Sequence, residues 1–288
     1  MSDIIDIRDQ SHLSGEHIVN LNFIKDSDRY VFRKYYRFGL RSHIFEVLLK
    51  KDIRTESCGK MADGIRVFPR ATPVKIFRIL RNRFENLDAV FMEIEKYKML
   101  LKILGPDLIA QSEEFIVDYT GTGGRQVVLC GLQEYIDGEI LDPWRIFGPD
   151  YLTDIYRFFT TDPARLSARV KTAQKNIEAF VQKIREMITC TGFIPDLAGI
   201  GNLVLMPDGG FKLVDINNIK KLEFDDTIRL DDKGYPSCDV SIKVLSILET
   251  QLLQKNIADN DVLYRFFLSP QRVKKVKKLE KDFYRTLS

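Results

Sequence analysis

Three residues between Gly192 and Asn218 have the types and the spacing to do chemistry. In the run GFIPDLAGIGNLVLMPDGGFKLVDINN, Asp196 and Asn202 bracket a glycine-bearing loop, Leu203–Met206 and Phe211–Val214 are apolar, and Asp215 follows the second apolar run. Pro207-Asp208-Gly209-Gly210 between the two runs predicts a β-hairpin. Closing that hairpin brings Asn202, near the start of one strand, close to Asp215, at the end of its partner. Two oxygen-bearing side chains so placed can share a hard divalent cation. A carboxylate just outside them, Asp196, is a candidate general base.

The elements that must position these groups are legible in part. Alternation predicts strands over His17–Ile24 and Arg29–Arg37 around an Asp26-Ser27-Asp28 turn. Cys58–Gly64 reads as a turn, Ile65–Pro69 as a short strand, and Pro73–Leu80 as a strand carrying Lys75 among branched and aromatic residues. An ammonium half-buried in such a strand needs an anion. The apolar stripe Leu87, Val90, Phe91, Ile94, Tyr97, Leu101 and Leu104 predicts a helix over Asn86–Leu104 that also carries Glu93 and Glu95, stopped by Gly105-Pro106. Ala110–Val117 and Gln126–Leu132 read as strands around a Gly121–Gly124 turn. Asp142–Thr191 is helical territory, broken near Gly148-Pro149, with a long amphipathic run over Ala164–Ile188. Leu222–Lys233 is loop-like, Cys238–Leu253 a helix, and Arg272–Lys281 a basic helix.

Taken in this order, the segments resemble the protein-kinase-like fold. Asp196 matches the catalytic-loop Asp, Asn202 the metal-binding Asn, and Asp215 the first residue of the DFG motif. The sequence departs from the pattern in three places. Five residues, Leu197–Gly201, separate Asp196 from Asn202 instead of four; Ile194-Pro195 stand where His-Arg would; and the DFG position reads Asp215-Ile216-Asn217. The resemblance implies an α+β, two-lobed architecture, with a sheet-rich N-lobe over 1–136 and a helical C-lobe over 137–288. It implies that Lys75, twenty residues before Glu95, contacts phosphate and is held by Glu95, with Lys34 and Glu93 as the rival lysine and glutamate. Gly39 stands in the place of the glycine-rich phosphate loop, a single glycine where several would be needed to bring backbone N–H groups close. Glu134 and Ile136 occupy the hinge, where main-chain groups meet adenine.

The function so implied is ATP-dependent phosphoryl transfer to a hydroxyl of a small molecule or glycan, with Mg²⁺ held by Asn202 and Asp215. Atypical bacterial kinases of sugars, aminoglycosides or lipopolysaccharide are the nearest in style. Only 23 residues lie between Asp215 and Asp239, too few for the activation segment on which protein kinases seat a peptide. The alternative is a kinase-fold binding module without activity, suited to a nucleotide or a protein partner; a third is adenylyl transfer.

Composition narrows the classes. A net charge of +3 from 44 Lys and Arg against 41 Asp and Glu gives no reason to expect nucleic acid as a partner. Mean hydropathy of −0.17 and the lack of an apolar window approaching roughly 18 residues predict a soluble protein. The start MSDIIDIRD lacks the basic and apolar regions of a signal peptide, and Cys58, Cys130, Cys190 and Cys238 are scattered without metal-ligand spacing. The expectation is a cytoplasmic protein with reduced, mostly buried thiols. Peripheral membrane contact is open to the basic C-terminal helix.

Overall fold

The computed structural model describes residues 6–10, 13–19, 21, 24, 28–35, 41–121 and 124–287. The chain is α+β, with an antiparallel five-stranded sheet in its N-terminal half and helices dominating the C-terminal half. It divides into two compact units, Met1–Ile94 with Gln111–Tyr135, and Glu95–Ala110 with Ile136–Ser288.

The first unit begins with α1 (Gly15–Val19), followed by β1 (Tyr30–Lys34), β2 (Ser42–Leu49), α2 (Lys50–Cys58), the small hairpin β3 (Lys60–Ala62) and β4 (Ile65–Val67), and β5 (Lys75–Leu80). Helix α3 (Leu87–Leu104) runs from this unit into the second. Strands β6 (Ser112–Gly121) and β7 (Gly124–Gln133) then complete a sheet of order β1-β2-β5-β7-β6. Residues directly opposite on antiparallel strands share a face, so the register sorts the sheet into two. On one face Phe45 lies opposite Phe77 and Ile79 opposite Cys130. These pack with Phe32, Val128, Ile7, Leu13 and Ile18. On the other face Leu80 and Leu129 pack with Val90 and Ile94 of α3.

The second unit continues with β8 (Glu139–Ile140), a 3₁₀ turn (Pro143–Arg145), α4 (Tyr151–Arg157) and α5 (Pro163–Thr191). Asp162 caps α5 by accepting from the backbone N–H groups of Ala164 and Arg165, and Gly192, at φ 74°, ends it. Four three-residue strands follow: β9 (Phe193–Pro195), β10 (Leu203–Leu205), β11 (Phe211–Leu213) and β12 (Ile219–Lys221). Helix α6 (Ser237–Ile247) runs into a π-helical turn (Leu248–Leu252), then α7 (Val262–Phe267) and α8 (Pro270–Leu287). The core joins Tyr97, Leu100 and Leu104 of α3 to Ile177, Phe180 and Ile184 of α5, Phe211 of β11 and Leu245 of α6.

Several expectations are corrected. His17–Val19 belong to a helix rather than a strand, because Ser14 ties itself to His17: its Oγ lies 2.8 Å from Nδ1 and accepts the His17 N–H at 3.4 Å. Asp26 and Ser27 lie outside the described residues. Cys58 ends a helix, and the turn lies at Asp63-Gly64, both at positive φ. Two of the four thiols, Cys58 and Cys190, are exposed rather than buried. Among the described residues no helix is long and apolar enough to cross a membrane.

Candidate functional site

In the second unit Asp196, Asn202 and Asn218 directly flank β9, β10 and β12, Asp215 lies one residue beyond β11, and the pairing collects them. The β9–β12 ladder sets Ile219 opposite Pro195, so the next pair outward is Asp196 and Asn218, and the Asp196 N–H donates to the Asn218 carbonyl at 2.9 Å. The β10–β11 ladder sets Leu203 opposite Leu213. The next pair is Asn202 and Val214, whose N–H donates to the Asn202 carbonyl at 2.8 Å. Asp215 follows at once. The Met206–Gly210 turn closes as the sequence predicts, with Gly209 at φ 97° and the Asp208 Oδ1 accepting the Gly210 N–H.

The loop between Asp196 and Asn202 is pinned through Asp196, Leu197, Ala198 and Asn202. The Asp196 Oδ1 accepts from the Ala198 N–H at 2.9 Å, and Oδ2 accepts from the Asn218 Nδ2 at 2.9 Å. The Leu197 N–H donates to Ser241 Oγ of α6, and the Trp144 Nε1–H donates to the Ala198 carbonyl. Lys243 lies over the Trp144 ring at 4.8 Å. The Asn202 Nδ2 donates to the Asp196 carbonyl at 2.9 Å. Within the loop Gly201 stands at φ 100°, a conformation open to glycine. Gly199 lets the Asn202 amide pack against the loop, since a Cβ there would stand 2.7 Å from both amide heteroatoms.

With its nitrogen committed to the Asp196 carbonyl, the Asn202 amide has its oxygen as the atom able to ligate a cation. Asp215 is half-buried, accepts only the Asn217 N–H at 3.3 Å, and has no ion-pair partner among the described residues. The Oδ1 atoms of Asn217 and Asn218 are buried and without a partner. Asn218 is 2% exposed, and reversing its amide would set oxygen against the Asp196 carboxylate, so its orphaned oxygen is fixed by chemistry. Buried orphaned oxygens beside a carboxylate are the donor set of a hard cation such as Mg²⁺, which takes one or two carboxylates and completes its shell with phosphates and water. Among the described residues no three His, Cys, Asp or Glu gather. Nearby, burial above all, then Asp239 and, more weakly, Asp196, push the Cys238 thiol up to about 12, leaving it inert.

The strand cation and its helix carboxylate need correction. Lys75 lies on the face of Phe45 and Phe77, opposite the face on which α3 packs; it is 38% exposed and its ion pair is with Glu113 at 3.9 Å. Lys34, opposite Phe45, shares that face. Glu95 points away from the Val90–Ile94–Tyr97 stripe of α3, and pairs with Lys98 at 2.7 Å on its own helix. Glu93 is the carboxylate within the stripe's side, half-buried. The cation on the α3 face of the sheet is Arg78, 5% exposed, which donates to Glu114 at 2.5 Å and to Ser112 at 3.1 Å. Gly131 makes room for this pair, since a Cβ there would stand 2.7 Å from both. On the same face the buried Glu46 binds Arg33 at 2.5 Å and Arg70 at 3.2 Å, and Arg33 also reaches Glu56. Arg78, Glu114, Glu46 and Asn218 were missed from sequence. A charge inside KIFRIL and another inside SHIFEVLL were the available signals, because a charge in an apolar strand must find a partner.

Glu134 continues the β6–β7 pairing, donating its N–H to the Gln111 carbonyl and accepting the Gln111 N–H on its carboxylate. Of the expected hinge contacts, its N–H is thus engaged. Ile136 is half-buried at the start of the second unit. Gly39 lies outside the described residues. No protein-family model matches the chain, and neither does any curated protein sequence.

Proposed function

We propose that the chain is a kinase-like phosphotransferase that moves a phosphoryl group from ATP to a hydroxyl of a small molecule or glycan. The observation that carries the reading is the polar tetrad Asp196, Asn202, Asp215 and Asn218, gathered at the ends of four strands around one loop. The element order supports it: antiparallel strands flanking a helix, then helices, then a loop and hairpin bearing Asp, Asn and Asp.

Asn202 and Asp215 would hold Mg²⁺, which neutralises phosphate oxygens when bound. Asp196 takes the proton of the acceptor hydroxyl as that oxygen bonds to the γ-phosphorus and the bond to ADP breaks. Asn218 fixes the carboxylate's orientation, and Ser241 and Trp144 fix the backbone that carries it.

A second reading, a nucleotide-binding module without turnover, draws on one observation: the buried strand cation Arg78 is already neutralised by Glu114. ATP turnover with pooled hydroxyl acceptors separates the two. The Asp196→Asn variant is expected to lose a factor of about a hundred or more in turnover while keeping its nucleotide affinity. Turnover unchanged in that variant, or none in the parent protein with any acceptor, would overturn the enzyme in favour of the module.

A further inference from the structure

The protein's net positive charge is carried by one helix. Helix α8, PQRVKKVKKLEKDFYRTL, holds seven cations against two carboxylates, a surplus of five, while the whole chain sums to +3; the rest therefore sums to −2. The helix is held by one side only. Val276 and Phe283 are buried, and the Glu280 Oε1 accepts from the Tyr235 hydroxyl at 2.9 Å. The Arg272 guanidinium, also buried, is bound to Asp239 at 2.5 Å and donates to the carbonyls of Asp225 and Thr227.

At about 100° per residue, Lys274, Lys278, Lys281 and Arg285 fall within roughly 60° of one another, diametrically opposite Arg272, Val276 and Phe283. Lys275 and Lys277 flank them. All five lysines are exposed, and none has an ion-pair partner among the described residues; on this side the only carboxylate is Asp282, which pairs with Arg285. Like charges at i,i+3 and i,i+4 destabilise a helix. This ridge is maintained at that cost, about 16 Å long, on a rigidly anchored support.

We propose that the outward ridge of α8 docks the protein on an anionic lipid surface. The ridge's lysines present point charges, and its one guanidinium fork, Arg285, pairs with Asp282. A body of charge −2 and a chain pI of 8.5 fall short of the basic footprint that nucleic acid selects. A planar layer of anionic headgroups accepts a straight ridge of ammonium groups, each contributing about 1 kcal/mol near the surface. Tyr284, 58% exposed on the ridge's flank, is an aromatic of the kind enriched at that depth. The docking does not depend on the phosphotransfer reading.

Cosedimentation with phosphatidylcholine vesicles, with and without about a third phosphatidylglycerol, tests it. The full chain is expected to bind only the anionic vesicles and to release them as salt rises from about 0.05 to about 0.5 M. Replacing Lys274, Lys278 and Lys281 by Gln should weaken binding about a hundredfold with the melting temperature held or raised, since the anchoring side chains are untouched. Replacing the exposed Lys102, Lys171 and Lys175 by Gln removes the same charge elsewhere and should leave binding nearly intact. The proposal is overturned by equal binding to neutral vesicles, by no binding at low salt, by equal losses in the two triple variants, or by tighter binding to duplex DNA at the same salt.

Discussion

The sheet face of the first unit and the hairpin end of the second both bury charged groups, and they hold them in opposite ways. On the sheet, charge meets charge: Arg78 is bound by Glu114, and Glu46 by Arg33 and Arg70. At the hairpin Asp215 is half-buried, accepts the Asn217 N–H, and has no ion-pair partner among the described residues. A carboxylate answered by a guanidinium has little left to give a ligand. One held by a backbone amide, as Asp215 is, keeps its charge open to a cation. The first arrangement builds a fold; the second leaves a carboxylate that a cation can use.

That contrast is broken most forcefully on the sheet. Glu114→Gln leaves the Arg78 guanidinium buried without its counter-ion, and thermal or denaturant unfolding should show a loss of about 3–5 kcal/mol. The double variant R78M/E114L should recover most of it. If Glu114→Gln were nearly neutral in stability yet altered nucleotide binding, the pair would belong to a site and the contrast would fail.

The buried His43, on the Phe45 side of the same sheet, gives a smaller effect. Burial first, then the charges of Arg81 and Lys34, hold its pKa down to about 4 from 6.5. A depressed histidine is neutral when folded. Its contribution is therefore complete above about pH 6.5 and is lost as pH falls towards 4, at up to about 1.4 kcal/mol per unit and on the order of 3 kcal/mol in all. Stability measured against pH in the parent and in His43→Gln should differ by that slope; parallel curves would contradict it.

In the second unit, Asn218→Ala removes the donor to Asp196 Oδ2. It should cost about 1–3 kcal/mol of stability and lower turnover, whereas Asn218→Ser, which keeps a donor, should restore part of the turnover. An equal loss of turnover in both variants would deny Asn218 its orienting role. Smallest is Gly201→Ala, about 1 kcal/mol from the strain at φ 100°. Unchanged stability there would mean that the loop does not need the left-handed conformation at Gly201.

What was legible in the sequence followed local rules. The Pro-Asp-Gly-Gly hairpin, the α3 stripe and the ends of α5 rest on turn chemistry and helical period, and they stand where expected. The hairpin ends of the site were legible for the same reason, because Asn202 and Asp215 flank a turn. Asn218 was not, because its link to Asp196 runs through β9 and β12, strands of three residues that carry no alternation to detect. The face of Lys75 was lost differently. Each strand has two faces, and which of them meets α3 is decided by cross-strand register and by the packing of Ile7, Leu13 and Ile18, whose sequence separation hides them.

The central claim is that Asn202 and Asp215 hold a cation that in turn holds a nucleotide. Calorimetric titration of ADP with and without Mg²⁺, on the parent chain and on Asp215→Asn, addresses it most directly. The parent should bind ADP more tightly when Mg²⁺ is present, and Asp215→Asn should lose that enhancement while its melting temperature stays near the parent's. Parent binding that ignores Mg²⁺, or a variant that keeps the full enhancement, would contradict the account.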